Sequence, residues 1–344
     1  MTRIDVGILG ATGMVGQQFI ALLSRHPWFR VTWLGASERS AGKKYREAAA
    51  WRLSAPLPDD IANLEVQTAA PSKSAPQLVF SGLDAGVAGE IEKAFAEAGH
   101  TIVSNARNYR MEADVPLLIP EVNGDHLSLL NTQAARGWKG RIVTNPNCST
   151  VVLSMALAPL RQFGLDKVTI TTLQAISGAG YPGVASWDIL GNVVPFIDGE
   201  EHKIETEPKK ILGCVKNGVV EPHPVVISAS TTRVAVHDGH TESISVGFEH
   251  RPTEHDMIHA WMSFKMLDGC PSAPAQPVVY LHERNRPQPS LDVNRGDGMT
   301  VSVGRLRVCP ILDYKFIALG HNTIRGAAGV AILNAELMHR EGLL

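Results

Sequence analysis

A glycine-rich turn between a short apolar strand and a helix dominates the start of the chain. Ile4–Leu9 is a run of branched residues, glycines follow at positions 10, 13 and 16, and residues 17–25 carry apolar side chains at helical spacing. Such glycines let the backbone approach a pyrophosphate, and the helix that follows offers free N–H groups and its positive dipole end. With a second strand at residues 31–36, the pattern predicts a β-α-β dinucleotide site. The predicted contacts in this turn are Gly10, Thr12, Gly13, Met14 and Val15.

The end of the second strand favours NADP as the cofactor. NAD sites usually place an acidic residue there, whereas NADP sites place small polar and arginine side chains around the 2′-phosphate. Ser37, Arg39 and Ser40 fit a phosphate-binding loop, while Glu38 leaves NAD open. Ser81, which ends the strand-like segment 78–81, is assigned to the same predicted cofactor site.

Alternating buried strands and helices predict an α/β fold. We expect a Rossmann-type doubly wound parallel sheet over residues 1–147, completed by a C-terminal helix at about 322–344. Residues 148–321 contain alternating segments that suit a mixed sheet in an α+β catalytic and dimerisation domain, with strands expected at 225–229 and 233–236. One final helix is expected from residue 323 to residue 338.

Composition excludes several classes of protein. Of 344 residues, 32 are Lys or Arg and 34 are Asp or Glu, so the net charge of −2 argues against nucleic-acid binding. The chain contains no apolar run long enough to span a membrane, and residues 1–5 lead directly into a strand, which predicts no signal peptide and a cytoplasmic protein. Four scattered cysteines show neither metal-site nor disulfide spacing, so no metal is expected.

Cys148 differs from the other cysteines in its context. It follows the strand 141–144 and the turn Asn145-Pro146-Asn147, and it precedes a helical segment. A thiol at a helix N-terminus has its thiolate stabilised by the dipole and nearby N–H groups, and the same groups can hold an oxyanion. Beside a nicotinamide, a cysteine nucleophile predicts attack on an activated acyl group and hydride reduction of the thioester to an aldehyde. His240 is a candidate base, but spacing does not favour it over His237.

Six motifs together resemble one enzyme family. The segments GATGMVG, NPNCST, LQAISGAG, GEEHKIETEPKKIL, RVAVHDGH and GHNTIRGAAG, which extend from the first strand to the last helix, are similar to those of aspartate-semialdehyde dehydrogenase, most closely its archaeal and fungal branch, which also occurs in bacteria. The resemblance implies NADPH-dependent reduction of L-aspartyl-4-phosphate to aspartate semialdehyde and phosphate, on the route to lysine, methionine and threonine. It also implies a homodimer or homotetramer.

The resemblance further implies roles for single residues. Cys148 would be the acyl-thioester nucleophile, His240 the proton acceptor and donor, and Gln174 the group that orients the acyl substrate. Ser177, Gly178 and Asn322 would border the nicotinamide. The charged residues of the substrate site would be Arg110 and Lys203 for phosphate, Glu200 for the amino group and Arg233 for the α-carboxylate.

Related enzymes on the same framework provide alternatives. N-acetyl-glutamyl-phosphate reductase is disfavoured because Asn147 and Ser149 flank the cysteine, where that family has glycine and an aromatic residue. Malonyl-coenzyme A reductase stays open, although Glu200 favours a substrate with an amino group. A sensor that binds NADP without turnover would need only the glycine turn, so the charged residues around Cys148 argue against it.

Overall fold

The computed structural model describes residues 3–344 and contains two six-stranded sheets and one hairpin. The strands are β1 (Ile4–Leu9), β2 (Phe29–Ala36), β3 (Val66–Thr68), β4 (Leu78–Ser81), β5 (Thr101–Ser104), β6 (Arg141–Thr144), β7 (Leu165–Gln174), β8 (Cys214–Lys216), β9 (Val219–Glu221), β10 (Val226–Arg233), β11 (His240–Phe248), β12 (Val278–Leu281), β13 (Val301–Val308) and β14 (Tyr314–Gly320).

The helices connect and cover these sheets. They are α1 (Met14–Leu23), α2 (Tyr45–Ala48), α3 (Asp59–Ala62), α4 (Ala85–Ala98), α5 (Pro120–Asn123), α6 (Leu129–Gln133), α7 (Cys148–Leu157), α8 (Ser186–Ile189), α9 (Glu200–Ile211), α10 (Glu254–Met262), α11 (Pro289–Asp292) and α12 (Gly329–Arg340). Short 3₁₀ turns occupy Gly124–Ser128, Ala134–Arg136, Ala158–Phe163 and Ile176–Ala179, and one π-helical turn occupies Ile324–Ala328.

The first sheet is entirely parallel, with strand order β3-β2-β1-β4-β5-β6. Its inner strands β4 and β5 are buried on both faces, which explains why they are mostly apolar. The order reverses between β1 and β4, and in sheets of this kind ligands bind at that switch point, beyond the carboxyl ends of the strands. The predicted doubly wound sheet is confirmed, and the glycine turn after β1 lies at the switch point.

The second sheet is mixed and has the order β10-β7-β11-β14-β13-β12. β10 runs parallel to β7 and β12 parallel to β13, and the remaining pairs are antiparallel. One face packs against α7 and α10 around a core that includes Trp261 and Phe316. Alternating residues of β7, such as Thr169 and Thr171, are exposed on the other face. The predicted mixed sheet is therefore confirmed.

Two predicted segments differ from the structure. The predicted strand 233–236 is wrong, because β10 continues from Val226 to Arg233 and the chain then forms the loop that leads to His240. The expected final helix is present, but its first turn is not α-helical. It begins with the π-helical turn, in which Gly326 N–H donates to His321 O at 2.9 Å and Ala328 N–H donates to Thr323 O at 3.1 Å. Such wide turns are rare and frequently occur at functional sites.

The last helix returns to the first sheet. Ala331, Ile332 and Ala335 of α12 belong to the apolar core beneath that sheet. The preceding π-helical turn packs against both α1 and α7, and its Arg325 makes a fully buried two-pronged ion pair with Glu121 at 2.8 and 3.0 Å. One turn thus contacts both α1 and α7.

Residues 3–344 lack both a membrane-spanning helix and a cluster of metal ligands. None of the helices there is both long and apolar enough to cross a membrane. The same residues contain no group of three or more His, Cys, Asp and Glu side chains arranged to hold a metal ion.

Candidate active site

Cys148 is the first residue of α7, and the local sequence explains its placement. Asn147 caps the helix, since its Oδ1 accepts from the backbone N–H groups of Ser149 at 3.0 Å and Thr150 at 3.3 Å. β6 ends at Thr144, so the intervening turn directs the cysteine out of the sheet edge. Cys148 stays partly exposed, while its neighbours on both sides are buried. The thiol can therefore meet a substrate.

His240, not His237, is the histidine beside the nucleophile. Its Nε2 lies 3.2 Å from Cys148 Sγ, although the two residues are 92 positions apart in the chain. The ring is fully buried, and its Nδ1 accepts the backbone N–H of Ala175 at 3.1 Å. The side chain of His237 is 91% exposed and contacts Asp238. The structure thereby decides a choice that the sequence leaves open.

Burial opposes charge on both Cys148 and His240. The pKa of the Cys148 thiol is raised to about 12 by burial and by Glu200, against the smaller lowering effects of Arg233 and the Ser149 N–H. The pKa of His240 is lowered to about 3 by burial, by Arg233 and by His321. The thiolate stabilisation expected from the helix N-terminus is present but is outweighed by desolvation.

Three of the predicted site residues form a row across the inner face of the second sheet. Arg233 of β10 pairs with Gln174 of β7, and His240 starts the neighbouring strand beside Gln174. All three are buried, and Arg233 Nη1 donates to the carbonyl of Ala175 at 2.8 Å. Gly178 packs across this row, because a Cβ there would lie 2.9 Å from Arg233 Nη1 and 3.0 Å from His240 Cε1. Only glycine fits without displacing these side chains.

Glu200 connects the row to the nucleophile loop. Its carboxylate accepts from Asn147 Nδ2 at 2.9 Å, from Gln174 Nε2 at 3.3 Å and from Lys203 Nζ at 2.6 Å. Burial alone would raise the pKa of Glu200, but Lys203 and these amide donors lower it below its usual value. Lys203 is partly exposed and Glu200 is buried, so the lysine lies at the solvent side of this pair.

Arg110 is held by a residue that the sequence reasoning missed. Its Nη1 donates to Glu207 Oε1 at 2.9 Å and its Nη2 to the carbonyl of Asn105 at 2.6 Å. Glu207 Oε2 also accepts the backbone N–H of Asn147 at 2.8 Å. Glu207 lies seven positions after Glu200 on α9, and a second acid at helical spacing was the signal that could have identified it.

A cavity of about 620 Å³ lies at the glycine turn. Gly10 has φ +70°, and a Cβ there would lie 2.7 Å from the carbonyl oxygen of Gly82; a Cβ on Gly16 would lie 2.4 Å from the Gly10 oxygen. No side chain caps α1 at Gly13, and its first turn carries no acid, so its N–H groups are available to an anion. These residues fit a dinucleotide pyrophosphate.

Polar groups at the end of β2 line the same cavity. Ser37, Arg39 and Ser40 do so together with Lys43, which the sequence reasoning did not select, whereas Glu38 is exposed and is not among the lining residues. Among residues 3–344, the cavity is lined by three cations, Arg39, Lys43 and Arg52, and by one carboxylate, that of Asp84. Such a set fits a ribose 2′-phosphate.

The cavity continues into a neighbouring one. An adjoining cavity of about 690 Å³ shares Met14, Arg52 and Tyr181 with it and includes Ser177. Asn322 stands at this end, where its Nδ2 donates to Ser177 Oγ at 2.8 Å and its Oδ1 accepts the Gly239 N–H at 2.9 Å. Ser81, by contrast, is fully buried, and its neighbour Gly82 lines the first cavity.

Known proteins are similar to this chain over nearly its full length. Residues 5–130 match the family model described as semialdehyde dehydrogenase, NAD binding domain, and residues 157–325 match the semialdehyde dehydrogenase dimerisation domain. The aspartate-semialdehyde dehydrogenase of Archaeoglobus fulgidus is 49% identical over 343 residues, which cover 99% of this chain and 100% of the relative. That of Candida albicans is 48% identical over 365 residues, with both chains fully covered. The chain belongs to the aspartate-semialdehyde dehydrogenase family.

A solved structure extends this likeness to three dimensions. The crystal structure of the Candida albicans enzyme with NADP superposes with a TM-score of 0.91 at 46% identity and covers all of both chains. The Vibrio cholerae enzyme, at 24% identity and a TM-score of 0.79, shares the fold. The resemblance noted in the sequence is therefore confirmed, and the protein is an oxidoreductase of this family.

Proposed function

We propose that the protein catalyses the NADP-dependent reductive dephosphorylation of L-aspartyl-4-phosphate to L-aspartate 4-semialdehyde, in lysine, methionine and threonine biosynthesis. One observation carries the proposal: Cys148 Sγ, at the start of α7, lies 3.2 Å from His240 Nε2 and beside a buried cluster of ionic side chains. Full-length relatives at 48–49% identity carry the name of this activity, which supports the choice of substrate.

The ionic side chains suit each group of the substrate. Arg110 and Lys203 are the cations suited to the phosphate, and Arg233 suits the α-carboxylate through a two-pronged contact. The Glu200 carboxylate suits the amino group, and Gln174, bonded to Glu200, would orient the acyl group against Cys148. A malonyl substrate has no amino group for Glu200 to bind, and this favours the aspartyl substrate.

The reaction proceeds through a thioester on Cys148. Its sulfur attacks the acyl carbon, and phosphate leaves toward Arg110 and Lys203. When bound, NADPH supplies the hydride that reduces the thioester. The N–H groups at the start of α7 and His240 Nε2 lie where they can donate to the acyl oxygen as it becomes negative. Release of the aldehyde regenerates the thiol.

The cofactor roles follow the two adjoining cavities. Gly10, Thr12, Gly13, Met14 and Val15 would hold the pyrophosphate, and Ser37, Arg39 and Ser40 the 2′-phosphate. Ser177, Gly178 and Asn322 would border the nicotinamide. Residues 1–147 with 322–344 would then form the cofactor domain and residues 148–321 the catalytic domain, a division supported by the two separate sheets.

Assembly and location are part of the same proposal. A homodimer or homotetramer is supported by the open face of the second sheet and by the dimerisation-domain match. A cytoplasmic location is supported by the reaction itself, which consumes NADPH and a labile acyl phosphate.

The reverse reaction tests the proposal. Aspartate semialdehyde, phosphate and NADP should produce NADPH, followed at 340 nm, and Cys148→Ser should abolish it. Turnover of malonyl-coenzyme A without turnover of the semialdehyde would establish the alternative reductase. Binding of NADP without either activity would instead indicate a sensor that binds NADP without turnover.

A further inference from the structure

Helix α9 carries four charged side chains along one face. They are spaced three or four residues apart, which places them in one row on the helix, and they are Glu200, Lys203, Glu207 and Lys210. The first two belong to the proposed substrate site. The other two bind residues 105–115, a segment of the cofactor domain that follows β5.

Lys210 attaches the backbone of this segment to α9. Its Nζ donates to the carbonyl oxygens of Arg110 at 2.8 Å, Glu112 at 2.7 Å and Val115 at 2.8 Å. An ammonium group has three N–H donors, so all of them are used. Because Lys210 is itself buried, the segment that carries Arg110 is fixed to the helix by contacts shielded from water.

Glu207 holds the side chain of Arg110 and the turn before the nucleophile at the same time. Its Oε1 accepts from Arg110 Nη1 at 2.9 Å, and its Oε2 accepts the backbone N–H of Asn147 at 2.8 Å. Asn147 caps α7 and immediately precedes Cys148. Glu207 is buried, and each of its two oxygens has one of these partners. One carboxylate therefore connects the proposed phosphate cation to the nucleophile turn.

These contacts leave Arg110 free to bind an anion. A guanidinium group has five N–H donors. One donates to Glu207 and one to the carbonyl of Asn105 at 2.6 Å, which leaves three without a protein acceptor among residues 3–344. The group is thus fixed in orientation, and most of its donors remain for the oxygens of a phosphate.

We propose that Glu207 and Lys210 are positioning residues for the reaction: they hold Arg110 in its phosphate-binding arrangement before substrate arrives, and Glu207 fixes the nucleophile turn relative to it. This inference rests on the proposed function, because it takes phosphate as the leaving group. Glu207 acts through Arg110 and Asn147, and Lys210 acts through the backbone around Arg110. A site assembled in advance needs no reorganisation when the reaction occurs.

The reverse reaction with varied phosphate tests Glu207. In Glu207→Gln the side chain has one acceptor oxygen, so its NH₂ group must face either Arg110 or the Asn147 N–H, donor against donor. We expect the KM for phosphate to rise about 10- to 100-fold and kcat to fall about tenfold or more. The KM for NADP should stay within about twofold, because NADP has its own cavity.

Lys210→Met tests the other contact. Methionine has a similar length but no donors, so the variant should raise the KM for phosphate about tenfold or more and lower kcat less than Glu207→Gln does, since the nucleophile turn keeps its carboxylate. Glu205→Gln is the matched control on the same helix. Glu205 Oε1 accepts the Ala229 N–H at 3.0 Å, an acceptor that glutamine retains, so all kinetic constants should stay at wild-type values.

A double-mutant cycle shows whether Glu207 acts through Arg110. In the Arg110→Ala background, the further change Glu207→Gln should alter the KM for phosphate less than about twofold. Multiplication of the two single effects would show that Glu207 acts independently of Arg110 and would overturn the proposal. An unchanged KM for phosphate in folded Glu207→Gln, or an equal rise in the KM for NADP, would also overturn it.

Hydrogen exchange of the wild type provides a measurement that needs no variant. The amides of residues 105–115 should exchange slowly without phosphate, and saturating inorganic phosphate should change their rates less than about twofold. Fast exchange that phosphate slows strongly would show that the ligand itself orders the segment, and the proposal would be wrong even if the variants fail to fold. Absence of wild-type semialdehyde turnover would refute the proposed function, whereas wild-type turnover with an unchanged KM for phosphate in Glu207→Gln would refute this inference alone.

Discussion

The contact between Gly326 and the nucleophile gives the sharpest structural prediction. Gly326 lies in the π-helical turn before α12, and a Cβ built on it would stand 2.7 Å from Cys148 Cβ and 3.0 Å from Cys148 Cα. Carbon atoms in contact normally lie about 3.5–4.0 Å apart. Gly326→Ala therefore requires a displacement of about 1 Å at the start of α7.

The expected effect falls mainly on the chemical step. A misplacement of about 1 Å in a reacting group can cost about 10²-fold, so we expect kcat of semialdehyde oxidation to fall by about that factor. The overpacked contact should also cost about 1–3 kcal/mol of stability. The KM for NADP should stay within about twofold, because the changed contact is with the nucleophile.

Gly86→Ala is the matched control. Gly86 is the second residue of α4, and a Cβ there would have no atom within 4 Å. That variant should keep wild-type kinetics and gain up to about 1 kcal/mol of stability, since alanine favours a helix over glycine. Initial rates at 340 nm and thermal unfolding measure both variants. Wild-type kcat and unfolding temperature in Gly326→Ala would refute the reasoning.

Three further predictions follow from other contacts. Arg39→Ala should raise the KM for NADP about 10- to 100-fold and leave that for NAD unchanged, because it removes a charged partner of the 2′-phosphate; equal changes for both cofactors would contradict this assignment. Arg233→Leu should raise the KM for aspartate semialdehyde about 10- to 100-fold and change the KM for NADP little, and similar losses for both would argue against a carboxylate clamp. Glu242 is fully buried and its two carboxylate oxygens lack a hydrogen-bond partner within residues 3–344, so burial raises its pKa well above the usual value. The unfolded state loses this proton above about pH 4.3, whereas the folded state keeps it. The free energy of unfolding of the wild type should therefore fall as the pH rises, by up to about 1.4 kcal/mol per pH unit from this group. Glu242→Gln should gain unfolding free energy relative to the wild type between pH 5 and 8, and a constant difference would show that Glu242 does not titrate in this way.

The sequence alone predicted the parts of the molecule that depend on neighbours in the chain. The glycines at 10, 13 and 16 and the helix after them form a local unit, because a positive φ at Gly10 and an uncapped helix start are properties of a few adjacent residues. The same holds for Cys148, whose capping residue immediately precedes it. The family motifs then led to the correct fold and family.

The tertiary structure decided everything that depends on contacts between distant segments. His240 differs from His237 because β11 lies beside β7 and under α7. This position brings His240 Nε2 to Cys148 Sγ and His240 Nδ1 to the Ala175 N–H. Chain spacing contains no information on which of the two histidines lies beside the nucleophile.

Desolvation is the physical reason for the largest difference between expectation and structure. A thiol at a helix start was expected to be a stabilised thiolate, yet its pKa is raised because the surrounding protein removes water from it. Residue types and spacing identified Cys148 as the nucleophile from the sequence. Its charge in the folded protein depends on what packs around it, and only the three-dimensional structure contains that information.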